Sequence, residues 1–127
     1  MKLLLDTHAF LWLLGGDQAL SGPARAAIED DTNQCLVSMG SMMEIAIKLS
    51  LGKLQLGFAL ETLPELLSRH DVAFLPITFQ HTLRLSQLPF HHRDPFDRLL
   101  VAQALVDDCD LVSVDTELDA YGVRRRW

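Results

Sequence analysis

Short apolar runs alternate with amphipathic segments along this chain, and each run has the length of a buried strand. The runs are mostly continuous rather than alternating, as in strands that are buried on both faces of a sheet. They cover residues 2–5, 35–37, 72–75 and 110–114, and the C-terminal residues 122–127 are a candidate fifth strand. The pattern therefore predicts four or five strands separated by helices.

The segments between these runs carry signals for helix ends. Ser21 is a candidate N-cap for the second helix, with Pro23 in its first turn. In the third helix, Ser41 and Glu44 have the spacing of a capping box, and Gly52 stands where a left-handed residue would end the helix. The other predicted helices are residues 8–14, 63–70, 78–86 and 95–108.

This alternation of strand and helix predicts an α/β fold in which helices cover both faces of a parallel sheet. We expect three layers, α/β/α, around a central parallel sheet of four or five strands. The length suits one domain spanning residues 1–127. In such a sheet the carboxyl ends of the strands share one edge, where ligands usually bind.

The composition indicates an ordinary globular protein, since 49% of the residues are hydrophobic and 22% are charged. Asp6 and His8 interrupt the apolar N-terminal stretch, which is too short for a transmembrane helix. We therefore expect a soluble, cytoplasmic protein with no membrane partner. Cys35 and Cys109 lie far apart and beside apolar runs, so we expect two buried, reduced thiols rather than a zinc site.

Five acidic residues stand where predicted strands end or predicted helices begin: Asp6, Glu44, Asp94, Asp97 and Asp115. Each could serve only as a helix cap or a first-turn acid. A parallel sheet would nevertheless bring most of them to one edge, and two carboxylates about 4 Å apart repel by about 4 kcal/mol at an effective dielectric of about 20. Such a cluster requires a cation or raised pKa values, and oxygen ligands favour Mg²⁺ or Mn²⁺ over zinc.

The sequence contains no motif for a side-chain nucleophile. The G-x-S-x-G elbow, the glycine-rich phosphate loop and the H-E-x-x-H helix are all absent from it. A metal ion held by the acids could instead activate a water for attack on a phosphate ester. The acids are therefore the strongest chemical lead in the sequence.

Four blocks of the chain carry a family resemblance: "LLLDTHAFLW", "MEIAIKLSLGKL", "LPFHHRDPFDRLLVAQA" and "LVSVDTELDAYGV". They resemble successive blocks of PIN-domain proteins and, more narrowly, of the VapC-type ribonuclease toxins of type II toxin–antitoxin systems. The resemblance extends from residue 3 to about residue 123. Met43 is a departure, because such sequences often carry tryptophan before the glutamate.

The resemblance implies a PIN-like fold and a Mg²⁺- or Mn²⁺-dependent endoribonuclease that hydrolyses RNA phosphodiester bonds. It assigns the acidic quartet of the family to Asp6, Glu44, Asp97 and Asp115, with Asp94 as a fifth or outer member. A cognate antitoxin that fills the site and a second copy of the chain, forming a homodimer, are implied as partners.

The formal net charge of −6 argues at first against an RNA partner. Of the 17 acidic residues, however, the twelve outside the cluster nearly balance the 11 lysines and arginines. Local cations could then contact RNA, namely Lys48, Arg93, Arg98 and residues 124–126. Lys48 also follows Glu44 by four residues, the spacing of a helical ion pair, so both interpretations of Lys48 remain open.

Other residues near the predicted edge have simpler explanations. His8, His91 and His92 lack the spacing of helical metal ligands, so we expect hydrogen-bonded or solvent-facing histidines. Phe10 and Trp12 are expected in core or subunit contacts rather than in base stacking.

Three other functions remain open on the sequence alone. A PIN-domain RNA-processing nuclease would have the same site without a toxin role. A metal-dependent phosphatase or receiver-like domain also carries acids at strand ends, but phosphatases of the haloacid dehalogenase type have Asp-x-Asp after the first strand, whereas Thr7 and His8 follow Asp6. In a binding module the acids would be caps alone, and Asp97→Asn would barely change metal binding because asparagine also caps well.

Overall fold

The computed structural model describes residues 1–127, and a parallel sheet of five strands lies at its centre. The strands are β1 (Lys2–Leu5), β2 (Gln34–Ser38), β3 (Val72–Leu75), β4 (Asp110–Val112) and β5 (Arg125–Arg126). Their order across the sheet is β3-β2-β1-β4-β5, so β1 lies in the middle. The predicted parallel sheet is confirmed with its fifth strand, while β4 ends two residues earlier than predicted.

Six α-helices cover both faces of the sheet, which confirms the three-layer α/β/α architecture. They are α1 (Thr7–Gly15), α2 (Gly22–Glu29), α3 (Met39–Ser50), α4 (Leu63–Arg69), α5 (Phe79–Gln87) and α6 (Pro95–Asp107). Two 3₁₀ segments, at Leu60–Thr62 and Thr116–Tyr121, were not predicted. None of these helices has the length and apolar character needed to cross a membrane.

Two apolar cores lie on opposite faces of the sheet. In β1, Leu3 and Leu5 belong to the core under α1 to α4, whereas Leu4 belongs to the core under α6. Successive side chains of a strand point to opposite faces, so this continuous apolar run fills both cores. Cys35 and Cys109 are buried, free and in different cores, as expected from the sequence.

The start of α3 differs from the prediction. Ser38, the last residue of β2, caps the helix by accepting a hydrogen bond from the Gly40 amide at 2.9 Å. The predicted capping box of Ser41 and Glu44 is therefore wrong, since both residues lie inside the helix and are buried. Gly52 does adopt the predicted left-handed conformation just beyond the helix, with φ of 67°. The earlier start frees the Glu44 carboxylate for contacts with other elements.

Two of the three C-terminal arginines form ion pairs at the amino end of β4, while Arg125 contacts the segment that follows β4. Arg124 and Arg126 donate to opposite oxygens of buried Asp110, at 2.6 Å and 2.7 Å, and Arg125 pairs with Asp119 at 2.9 Å. Asp110 opens β4, so this contact lies at the edge of the sheet away from the strand carboxyl ends. These arginines therefore hold β5 in place, and their sequence-based assignment to RNA loses its support.

Candidate metal centre

The carboxyl edge of the sheet is where the five candidate acids gather. Asp6 directly follows β1, Asp115 lies three residues beyond β4, and Glu44 lies in the second turn of α3. Asp94 caps α6 and Asp97 lies in its first turn. Because β1, β2 and β4 are neighbouring parallel strands, the elements that follow them start from the same edge.

Asp6 combines a capping role with a buried carboxylate. Its Oδ1 accepts a hydrogen bond from the Ala9 amide at 2.8 Å, which caps α1. Burial raises the pKa of Asp6, against the opposing effect of hydrogen bonds from Ser113 and Ala9. The nearby negative charge of Glu44 raises the pKa of Asp6 slightly further. The capping interpretation is thus correct for Asp6, but it does not account for a carboxylate held among other acids.

Glu44 is fixed through both of its carboxylate oxygens. Its Oε1 accepts the hydroxyl of Thr7 at 2.6 Å, and its Oε2 accepts Lys48 Nζ at 2.8 Å. The Thr7 hydroxyl also lies 3.0 Å from the hydroxyl of Ser41. The predicted ion pair between Glu44 and Lys48 is therefore present. Each carboxylate oxygen keeps a second lone pair that could bind a cation.

Asp94 and Asp97 have different tasks at the start of α6. Oδ1 of Asp94 accepts the amides of Phe96 at 2.8 Å and Asp97 at 3.3 Å, so Asp94 is the N-cap. Burial raises the pKa of Asp97 to about 7, and the charge of Asp94 adds to this shift while His92 opposes it. The charges of Asp6 and Glu44 raise the pKa of Asp97 further. Asp97 is thus electrostatically coupled to three of the other four acids.

His92 connects the two aspartates that come from α6 and from the end of β4. Its Nε2 lies 2.9 Å from Asp115 Oδ2 and 3.5 Å from Asp97 Oδ2. Its Nδ1 accepts the amide of Asp94 at 3.1 Å. Since a backbone amide can only donate, Nδ1 is unprotonated and Nε2 carries the proton that is donated to Asp115.

The sequence analysis predicted a hydrogen-bonded or solvent-facing histidine at this position. His92 is hydrogen bonded, but its partners are carboxylates of the site, which the residue spacing did not indicate. A usable signal was its position two residues before the capping Asp94, because that spacing lets the ring accept the amide of the cap residue. Glu117, on the 3₁₀ segment after β4, was also missed; its Oε2 lies 3.7 Å from Nε2 of His92.

The donor set fits a hard divalent cation. Ligand atoms of His92, Asp115 and Glu117 all lie within 4.8 Å of one another, and Asp97 Oδ2 faces the same ring nitrogen. The carboxylate oxygens are the donors that suit Mg²⁺ and Mn²⁺. Both nitrogens of His92 are already engaged, one by Asp115 and one by the Asp94 amide. Burial, followed by the charges of neighbouring acids, raises the pKa of Asp97, and a bound cation would offset these charges.

The three cations suggested by the sequence have different surroundings. Lys48 pairs with Glu44, and Arg93 is exposed on the loop before α6. Arg98 is buried, donates from Nη2 to the carbonyl of Leu88 at 3.1 Å, and lies with its guanidinium carbon 4.0 Å from the centre of the Phe90 ring. Arg98 therefore supports this loop from beneath.

Residues 3–123 match the sequence model of the PIN domain, which is nearly the whole chain. The chain therefore belongs to the PIN domain family. No curated protein gives a significant sequence match.

Several solved structures have the same fold. A chain of a toxin–antitoxin complex from Klebsiella pneumoniae is 19% identical with a TM-score of 0.63, and the match covers 90% of this chain and 87% of that chain. A chain of VapBC2 from Rickettsia felis, in a complex bound to a DNA fragment from the promoter, is 11% identical with a TM-score of 0.68. The match covers 100% of this chain and 100% of that chain. FitAcB from Neisseria gonorrhoeae matches with 18% identity and a TM-score of 0.64 over 97% of this chain and 95% of that chain. At these identities the similarity shows the fold alone.

Proposed function

We propose that this protein is a divalent-metal-dependent endoribonuclease and the toxin of a type II toxin–antitoxin pair. The observation that carries the proposal is the acidic cluster at the carboxyl edge of a PIN-domain sheet, in which burial and like charges raise the pKa of Asp97 to about 7. The family match also favours a nuclease over the phosphatase or receiver-like alternative.

In this proposal Asp6, Asp97 and Asp115 hold the ion, which is Mg²⁺ or Mn²⁺. A bound divalent cation would lower the pKa of a water and offset the negative charge that develops on the phosphate during in-line displacement. Glu44 is the fourth metal-site residue, and its bonds from Thr7 and Lys48 hold its carboxylate in a single orientation. No side-chain nucleophile is required, in agreement with the lack of an activated serine or cysteine motif in the sequence.

Asp94 and His92 act as positioning residues. Asp94 orients the first turn of α6 and therefore the Asp97 backbone. His92 donates to Asp115 and so fixes the rotamer of a proposed ligand, as histidine and carboxylate partners commonly do around metal sites. Lys48 and Arg93 remain our candidates for phosphate contacts, because both offer a cationic group beside the acids.

Cleavage of total cellular RNA by the purified protein tests the proposal. We expect discrete fragments in Mg²⁺ or Mn²⁺ and none with a chelator. Asp97→Asn should keep the fold, because asparagine is tolerated in the first turn of a helix. It should reduce the cleavage rate by more than about 100-fold, because it removes a charged ligand. Asp31→Asn, at an exposed acid in the turn before β2, is the matched control and should cleave like the wild type.

If Asp97→Asn cleaves RNA as well as the wild type, the assigned site is refuted. If folded, antitoxin-free protein cleaves none of several RNA classes, the nuclease activity is refuted. The toxin role is tested separately by expressing the chain in cells. Growth arrest that a protein from an adjacent gene relieves supports a toxin, whereas normal growth with active nuclease supports the RNA-processing alternative.

An apolar groove beside the acids supports an antitoxin as partner. The groove has a volume of about 380 Å³ and runs between α1 and the segment of residues 54–58. His8, Trp12, Leu54 and Phe58 are among its lining residues. His8 lies in the first turn of α1, directly after Thr7, so one end of this groove lies near the helix start that carries Asp6 and the contact with Glu44.

A stripe of exposed apolar side chains on α3 supports the homodimer. Its members recur every four residues and are Met39, Met43, Ile47 and Leu51, with exposed fractions of 42%, 56%, 40% and 61%. The opposite face of α3 packs Ile45 into the core. The stripe is therefore a second apolar face of this helix, which the core does not use. We propose that a second copy of the chain covers it.

A further inference from the structure

Phe90 has an aromatic ring on the surface next to the proposed metal centre. Its exposed fraction, 86%, is the highest among the large apolar residues of the chain. It stands two residues before His92, so the two Cα atoms are at most about 7 Å apart. His92 in turn contacts Asp115 at 2.9 Å. An exposed ring therefore lies within reach of whatever substrate occupies the acidic site.

The ring is supported from beneath by a charged side chain. The guanidinium carbon of Arg98 lies 4.0 Å from the ring centre, which is cation–π geometry. Arg98 is itself buried and is anchored to the carbonyl of Leu88. Its Nε has no hydrogen-bond partner, so the contact with the ring is a principal interaction of this guanidinium. One face of Phe90 is thus covered, and the high exposure of the ring leaves the other face open.

The loop that carries Phe90 is fixed to the rest of the fold. The hydroxyl oxygen of Tyr121 accepts the amides of His91 at 3.0 Å and His92 at 2.9 Å. The ring of His91 also packs edge-on against Tyr121, with centroids 5.0 Å apart. With Arg98 on one side and Tyr121 on the other, the position of Phe90 relative to His92 is set by the fold.

We propose that Phe90 is a stacking platform for a nucleobase of single-stranded RNA, from a nucleotide close to the bond that is cleaved. This inference rests on the proposed function and adds to it a specific substrate contact. A flat ring with one covered and one open face matches the stacking sites of proteins that bind single-stranded nucleic acids.

The neighbouring residues favour a base over an apolar protein surface. The residues that follow Phe90 are His91, His92 and Arg93, so on the side toward the proposed metal site the ring does not continue into an apolar patch, although the exposed Pro89 precedes it. Arg93 is exposed and offers a cation for the phosphate of the stacked nucleotide. Since every base has a π-face, the platform would accept all four bases.

The test compares RNA binding and cleavage by variants at this position. A short unstructured oligoribonucleotide with a fluorescent label is the probe, with binding followed by anisotropy in EDTA and in Ca²⁺ and cleavage followed in Mn²⁺. We expect Phe90→Ala and Phe90→Leu to raise both the Kd and the KM by about tenfold, with kcat unchanged, because stacking contributes to binding. Phe90→Tyr should restore wild-type values.

Phe79→Ala is the matched control. Phe79 is also highly exposed, at 74%, but it opens α5. That end of α5 lies beside the C-terminal end of α6, since His81 contacts Asp107 at 3.0 Å, so it is far from Asp97. We expect no change in RNA binding or cleavage for this variant.

An oligonucleotide with one abasic position identifies the stacked base. At one position next to the cleaved bond, loss of the base should weaken binding to the wild type but not to Phe90→Ala, because both changes remove the same contact. The stacking proposal would be overturned if Phe90→Ala or Phe90→Leu bound RNA as tightly as the wild type. It would also be overturned if, at every position, the loss of affinity caused by removing the base added to the loss caused by Phe90→Ala. Weakened antitoxin binding with unchanged RNA binding would overturn it in favour of a protein contact.

These results also separate the platform from the nuclease. A wild-type protein that binds RNA through Phe90 but never cleaves it would refute the nuclease and keep the platform. If Phe90→Ala cleaves RNA as well as the wild type, the nuclease is supported and the stacking platform is refuted. A wild-type protein that neither binds nor cleaves RNA would refute both.

Discussion

At the scale of single residues, Asp97 shows how the fold prepares a carboxylate for a cation. Burial and the charge of Asp94 raise the pKa of Asp97 to about 7, compared with 3.8 for an ordinary aspartate. Between these two values the folded protein binds a proton that the unfolded chain does not. The contribution of Asp97 to stability therefore decreases as the pH rises from about 4 to about 7. A metal ion bound by Asp97, as we propose, would displace this proton, so its affinity would increase with pH over the same range.

The first residue-scale prediction concerns this pH dependence. We expect Mn²⁺ to raise the melting temperature more at about pH 8 than at about pH 6, because Asp97 is ionised only at the higher pH. Differential scanning fluorimetry with and without Mn²⁺ measures the difference. Asp97→Asn should give a smaller metal effect with less dependence on pH. Equal stabilisation of the wild type at both pH values would contradict the assignment of Asp97 as a ligand.

The second prediction at this scale concerns His92. Replacing it by alanine removes the donor to Asp115 Oδ2, so the carboxylate is held only through Oδ1, which accepts the Glu117 amide at 3.0 Å. We expect Mn²⁺ affinity, measured by isothermal titration calorimetry, to fall by about 10- to 100-fold. His91→Ala is the control, because His91 is the exposed neighbour on the same loop. Similar losses in both variants would indicate a general effect on the loop and not a role in positioning Asp115.

At the scale of elements, a hydrogen bond between two helices holds Glu44. Thr7 opens α1 and Glu44 lies in α3, and both side chains are buried where the hydroxyl donates to the carboxylate at 2.6 Å. Thr7→Val keeps the volume and leaves one buried carboxylate oxygen without this donor. We expect a loss of about 1–3 kcal/mol in the free energy of unfolding, measured with urea. Thr7→Ser retains the hydroxyl and should recover most of that stability; an equal loss in both variants would point to packing instead.

The elements themselves were largely predictable, because strand runs and helix caps are local signals. The failures arose where two local signals competed or where a partner was remote in sequence. Ser38 and Ser41 are both good caps, and the sequence does not reveal that β2 passes directly into α3. The ion pairs of Asp110 with Arg124 and Arg126 span 14 and 16 residues, so the order of the C-terminal tail depends on contacts that spacing does not display.

The same distinction explains the candidate site. Asp6, Asp94, Asp97 and Asp115 follow a strand or start a helix, and the parallel sheet then determines which edge they share. Glu44 lies in the second turn of α3 and was found through a predicted capping box that is wrong.

Glu117 was not predictable, since its position depends on an unpredicted 3₁₀ segment. The spacing of His92 from Asp94 indicates its contact with the Asp94 amide, but not its contacts with Asp97 and Asp115. Arg98 was assigned to substrate on charge alone, whereas its direction is set by the Leu88 carbonyl and the Phe90 ring.

At the scale of the whole molecule, the distribution of exposed apolar surface bears on assembly. Three residues of α3, together with Leu51 just after its end, present exposed apolar side chains four residues apart, which a monomer in water has no reason to align. A second copy related by a two-fold axis would bring the same stripe against itself, and such self-complementary contacts are the usual form of a dimer. The stripe includes Met43, at the position noted above as a departure from the sequences that this chain resembles.

Replacing Ile47 by aspartate tests this arrangement, because it introduces a charge in the middle of the stripe. We expect the wild type to have twice the chain mass in size-exclusion chromatography with light scattering, and Ile47→Asp to have the mass of one chain. Ile77→Asp is a closely matched control, since Ile77 has the same exposed fraction of 40% but lies between β3 and α5. A monomeric wild type, or a dimer that tolerates Ile47→Asp, would remove α3 as the contact surface, because an unpaired buried charge strongly disfavours association.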